Sequence, residues 1–152
     1  MKNLPFFIFI GFLQSCSLNS FDQDIEYRVN PELKPYVDLF YEEAEKRGIK
    51  LQRVNLYMNL DSSDKVVNPF KSGASFIQGS QKTVLIDTYS FQTNTDIQNE
   101  VLVFHELGHT LLNKSHDDSG IGIMNTYLIS NDSIYKKNRD AFLKHLFTLY
   151  KL

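Results

Sequence analysis

Residues 95–116 read TDIQNEVLVFHELGHTLLNKSH, and this run holds a helix start, an apolar stripe and a helix stop in succession. Thr95 and Gln98 stand at capping-box spacing, where each side chain satisfies a backbone N–H of the first turn, and Asp96 adds negative charge at the positive end of the helix dipole. Ile97, Val101, Phe104, Gly108 and Leu111 recur at helical spacing and make a core-facing stripe. Gly108 removes a side chain from that stripe, so another element can approach closely there. Asn113 tolerates the left-handed conformation that ends many helices, which predicts a stop after Leu112 and a reversal of the chain.

The same run carries the chemistry. Three of the chain's 4 histidines fall between residues 105 and 116, and His105, Glu106 and His109 form a His-Glu-x-x-His core. Four residues of helix turn about 400°, so His105 and His109 project from nearly one face, where two imidazole nitrogens can share a cation. An accidental match in a chain of this size occurs at roughly the one per cent level, so the helix signals around the motif matter. Zinc (Zn2+) with three protein ligands keeps one position for water, and Glu106 is the neighbouring carboxylate suited to take that water's proton. The third ligand must come from beyond the helix. His116 is expected to turn back to the metal; in an alternative it is a solvated loop residue and Asp117 or Asp118 binds instead. No Glu follows Glu106, which excludes a later glutamate ligand and leaves Asp132 and Asp140 as weaker candidates.

These residues resemble the metzincin metallopeptidases, closest to the matrixin-like branch and to small bacterial metallopeptidase lipoproteins. Metzincins carry His-Glu-x-x-His-x-x-Gly-x-x-His followed by a methionine in a tight turn beneath the zinc. The segment 119–125, SGIGIMN, is similar to that Met-turn, with Met124 as its methionine. Two departures stand out: His116 lies one residue later than in the family pattern, and Asn113 occupies, also one place late, the position of the family's glycine. The resemblance spans roughly residues 74–128. It implies zinc held by His105, His109 and His116, Glu106 as the catalytic base, and Met124 under the site without binding metal. A tyrosine two residues after the methionine serves some members as a transition-state donor; Tyr127, three residues after, is the candidate here. The family also implies that an edge strand, here residues 73–78, pairs with an extended peptide substrate.

At the other end of the chain, Lys2 precedes an apolar run from Leu4 to Leu13 that closes on Leu13-Gln14-Ser15-Cys16. The pattern resembles a bacterial lipoprotein signal peptide: a positive start, an apolar stretch too short to span a bilayer, and a small residue before the cut. Residues 1–15 are therefore expected to be removed. Cys16 is the chain's only cysteine and has no disulfide partner, and the resemblance implies that it is lipidated. The expected location is extracytoplasmic, membrane-anchored at the periplasmic or cell surface, with residues 16–30 as a polar tether and 31–152 as one catalytic domain.

The remaining pattern predicts an α+β domain of metzincin-like form: a small mixed sheet, the active-site helix and a C-terminal helix. Pro31 to Arg47 read as a first helix with Leu33, Tyr36, Val37, Phe40 and Ala44 inward, ended by Gly48. Val54, Leu56, Met58 and Leu60 alternate as a half-buried strand, and residues 61–72 read as loop. Residues 74–78 and 83–87 read as two short strands around a turn at 79–82. A last helix is expected over about 138–150, with Phe142, Leu146, Leu149 and Tyr150 inward and His145 partly exposed. A net charge of −2 with no basic cluster gives no reason to expect nucleic acid as a partner. The function expected is a monomeric zinc endopeptidase acting on a peptide or protein substrate. Two alternatives remain open at this point: a non-catalytic zinc-binding surface lipoprotein, and a zinc hydrolase of a non-protein amide such as a cell-wall linkage.

Overall fold

In the computed structural model, residues 26–62 and 72–148 are described. The signal segment, Cys16 and most of the 61–72 loop therefore lie outside the described residues, as do Leu149 and Tyr150. Among the described residues the chain is α+β, a small mixed sheet of four strands with four helices. Strands β1 (Arg28–Val29), β2 (Leu56–Asp61), β3 (Gly73–Gln78) and β4 (Gln81–Asp87) lie in the order β1-β2-β4-β3. β1 and β4 both run parallel to β2, while β3 pairs antiparallel with β4 and forms an edge.

The hairpin closes where its composition says it should. Gly79, with φ of 60°, opens the two-residue turn between Gln78 and Gln81, a place where a side chain would be strained. β2 starts two residues later than Val54, because Asn55 takes a left-handed φ of 58° and its carbonyl accepts from the Lys82 N–H. Val54 is left exposed outside the strand. β1 corrects the expectation of a tether running to residue 30: Arg28 and Val29 pair with Tyr57 and Met58, and the Asn30 N–H donates to the Met58 carbonyl. A two-residue strand is too short to leave an alternating pattern, so it is invisible to periodicity.

Period two on the sheet and period 3.6 on the helices meet in one core. Leu56 and Met58 of β2 and Val84 and Ile86 of β4 are buried together with Val37, Phe40 and Ala44 of α1 (Lys34–Lys46). α3 (Asp96–Leu112) adds Val101, Phe104 and Leu107, and the Phe40 and Phe104 rings meet edge to face at 5.1 Å. Burying each such side chain is worth about 1.5–3 kcal/mol, which fixes α3 against the sheet. A short helix, α2 (Thr88–Thr93), joins β4 to α3 and was not expected; the Asp87 carboxylate caps it by accepting from the Ser90 N–H.

The last helix, α4 (Asp132–Leu146), starts six residues earlier than its apolar spacing suggests. Asn131 is its cap, accepting from the Ser133 and Ile134 N–H groups, and Tyr135 is buried in its first turn. The Asn131-Asp132-Ser133 run, which reads as loop, is the start signal of that helix.

Candidate metal centre

α3 begins and ends as its residues predict. Thr95 Oγ1 accepts from the Gln98 N–H while Gln98 Oε1 accepts from the Thr95 N–H, a complete capping box. At the other end Asn113 is left-handed, with φ 52° and ψ 40°, and the N–H groups of Asn113 and Lys114 both donate to the Gly108 carbonyl. That reversal brings His116 back over the helix.

The result is a triangle of imidazole nitrogens. His105 Nε2 and His109 Nε2 are 3.0 Å apart, and His116 Nε2 lies 3.2 Å from each of them. A tetrahedral zinc site with nitrogens at about 2.0–2.1 Å spaces them about 3.3 Å apart. The observed triangle fits that donor set, and three such nitrogens are close enough to hold a metal ion. Among the described residues no other group of His, Cys, Asp or Glu is arranged this way. His105 is buried, His109 half-buried and His116 exposed, so the cluster opens to solvent on the side of the loop.

The hydrogen bonds of the two helical rings suit the cluster to a cation. His105 Nδ1 is 2.7 Å from the Ile123 carbonyl, and His109 Nδ1 is 2.6 Å from the Lys114 carbonyl. A carbonyl oxygen only accepts, so each Nδ1 is assigned as N–H, and each neutral ring then turns a bare lone pair on Nε2 toward its neighbour. Burial, reinforced by the neighbouring imidazoles and opposed by the Ile123 carbonyl, pushes the His105 ring down to about 4. Burial also lowers His109. Near neutral pH both rings are neutral, and lone pairs 3.0 Å apart repel unless a positive ion lies between them. Backbone carbonyls that orient metal-binding imidazoles in this way commonly fix the tautomer needed for ligation.

Comparison with protein-family models, curated proteins and solved structures finds no match. The site is therefore read from its own residues.

Residues 117–126 form a loop tied to itself and to the ligands. The Asp117 N–H donates to the Met124 carbonyl at 2.8 Å, and the Asn125 side chain donates to the Gly120 carbonyl at 2.8 Å. Asp118 accepts from the Thr126 N–H and hydroxyl, bonds that hold its carboxyl below the usual range. Asp117 accepts from the Ser119 N–H and lies 3.3 Å from His145 Nε2. Asp132 accepts from the Thr95 hydroxyl, and Asp140 pairs with Arg47. None of these four aspartates belongs to the cluster; the loop delivers His116.

Met124 is buried against α3 at the glycine read as a point of close approach. A Cβ on Gly108 would stand 2.4 Å from Met124 Sδ and 3.1 Å from Leu146 Cδ1, so the missing side chain is what lets the loop and α4 seat under the helix. Glu106 is buried, 6% exposed, and its carboxylate end lies along Gly73 at the start of β3. Tyr127 is 85% exposed, with its N–H donating to Asn125 Oδ1. The Lys114 and Ile123 carbonyls escaped sequence reading, because every residue offers a carbonyl and only the fold selects which one meets a ring.

Proposed function

We propose that this chain is a zinc-dependent endopeptidase of metzincin-like type. His105, His109 and His116 would hold the ion. When bound, zinc supplies Lewis-acid polarisation of a carbonyl and lowers the pKa of a water at its open position. Glu106 accepts the proton of the attacking water and hands it to the departing amine nitrogen, a task for a carboxylate kept out of bulk solvent. Met124 underlies the histidines as a packing element, and Tyr127 is a candidate donor to the oxygen that gains charge in the transition state. The edge strand β3, Gly73 to Gln78, is the surface on which an extended substrate would add as a further strand. Export and acylation at Cys16 would hold the enzyme outside the cytoplasm at a membrane surface.

The observation that carries this reading is the convergence of three imidazole Nε2 atoms beside a buried glutamate in adjacent sequence. A structural zinc site uses four protein ligands and needs no base, whereas three ligands and an intact carboxylate suit a site that keeps a position for water. Digestion of a broad peptide library, read by mass spectrometry with Glu106→Ala as the control, tests the proposal. Cleavage by the parent and none by the variant is expected. A zinc-loaded parent that cleaves no peptide, yet opens a non-peptide amide, would move the assignment to that substrate class.

A further inference from the structure

Gly73 is the first residue of β3 and lies opposite Ile86 of β4, with the Ser72 carbonyl next to it accepting from the Asp87 N–H. It is therefore held in the sheet rather than in a free loop. A Cβ built on Gly73 would stand 2.9 Å from Glu106 Oε1 and 3.1 Å from both Cδ and Cγ of that residue. The terminal half of the Glu106 side chain thus lies flat against the backbone of the edge strand, in the volume that any other residue would fill.

We propose that Gly73 is the positioning residue for Glu106: its missing side chain defines the slot in which the carboxylate stands. For its catalytic consequence the inference rests on the peptidase reading above; its structural content does not. The atoms that a Cβ would meet belong to the end of a flexible side chain, not to backbone, so an alanine is accommodated by moving Glu106. The three histidines are held from elsewhere, by the Ile123 and Lys114 carbonyls and the turn at Asn113, so the metal ligands stay in place. Gly73 also sits at the start of the strand proposed to receive substrate. The strand's first residue and the base's resting place are then one and the same point, which couples substrate register to the proton acceptor.

The test is a double-mutant cycle on the full chain with Gly73→Ala, Glu106→Ala and the pair, read by thermal unfolding of the metal-free protein and by kinetics of the zinc-loaded one. Gly73→Ala is expected to lower the Tm by a few degrees on its own and to have no such effect once Glu106 is truncated. In the loaded enzyme Gly73→Ala should lower kcat about 10²-fold with KM little changed and zinc content intact, the mark of a displaced base rather than a lost binding surface. If Gly73→Ala alone does not fold, recovery of folding in the double variant is the same result in stronger form, and failure to recover overturns the proposal. Equal Tm penalties with and without Glu106 would overturn it, as would loss of zinc in Gly73→Ala, because either places the effect elsewhere. If the parent hydrolyses no peptide, the peptidase reading fails while the Tm cycle still decides where Glu106 rests.

Discussion

Two polar clusters sit on α3 within a turn and a half of each other, and they are built on opposite plans. In the first, Glu43 of α1 accepts from Lys46, Arg47 and Arg139, while Arg139 of α4 also donates to Glu100 of α3, which accepts from the Tyr135 hydroxyl. Every charge there meets its opposite within the chain, and the network ties three helices together. In the second, three imidazoles turn their Nε2 atoms toward one another, and the Nδ1 N–H groups of His105 and His109 are already committed to backbone carbonyls. The first cluster is electrostatically complete within the chain, whereas the second is a donor set close enough to hold a metal ion. A buried polar group that the chain fails to neutralise costs free energy, and it persists where an added ligand supplies what is missing. The difference separates a structural network from a site.

The comparison breaks most visibly at Glu106. Glu106→Ala should retain zinc and lose about 10²–10⁴-fold in kcat, measured on any peptide the parent cleaves. Undiminished turnover would remove the base from the mechanism. Next in size is the effect of metal binding. Supplying zinc to metal-free protein at about 100 times its dissociation constant should stabilise the fold by about 2.7 kcal/mol, seen as a rise in Tm. His116→Ala should lose most of that rise, whereas Glu43→Gln should keep it.

Gly108→Ala comes third. Its Cβ would meet Met124 Sδ and Leu146 Cδ1, and overpacking of this kind costs about 1–3 kcal/mol, to be read from urea unfolding. A variant as stable as the parent would mean that the loop and α4 shift freely from α3. The smallest effect belongs to the complete network. Burial opposes ionisation of Glu43, but hydrogen bonds from Arg47 and Lys46 and the charge of Arg139 outweigh it and hold the carboxyl below its ordinary 4.5. With the folded-state pKa depressed, the stabilisation is fully present above the ordinary 4.5 and is lost as the pH falls from there through the folded-state value. Glu43→Gln should therefore cost about 1 kcal/mol at neutral pH and remove part of the acid sensitivity of the Tm below 4.5.

Legibility in the sequence divides along the same line. α3 was readable end to end, since Thr95, Gln98 and Asn113 act on backbone groups within a few residues of themselves. The β3–β4 hairpin was readable for the same reason, with its turn at Gly79 and Ser80. His105 and His109 followed from helical spacing, and His116 was separated from Asp117 and Asp118 only when the loop's own hydrogen bonds were seen to occupy both carboxylates. What stayed hidden depends on distant partners: the parallel pairing of Arg28 and Val29 with β2, the start of α4 at a polar Asn-Asp-Ser run, and the carbonyls of Ile123 and Lys114. The Glu43–Arg139 pairing joins residues 96 positions apart, and no local pattern announces it. Gly108 lies between, because a glycine in an apolar stripe signals close approach without naming Met124 as what approaches.

The most direct test of the central claim is the zinc content, by elemental analysis, of the protein purified without chelators and then supplied with the metal, beside its His116→Ala variant. The account predicts close to one zinc per chain in the parent and a marked loss in the variant. A folded parent that takes up no zinc would contradict it, because the three converging imidazoles would then not be a zinc site.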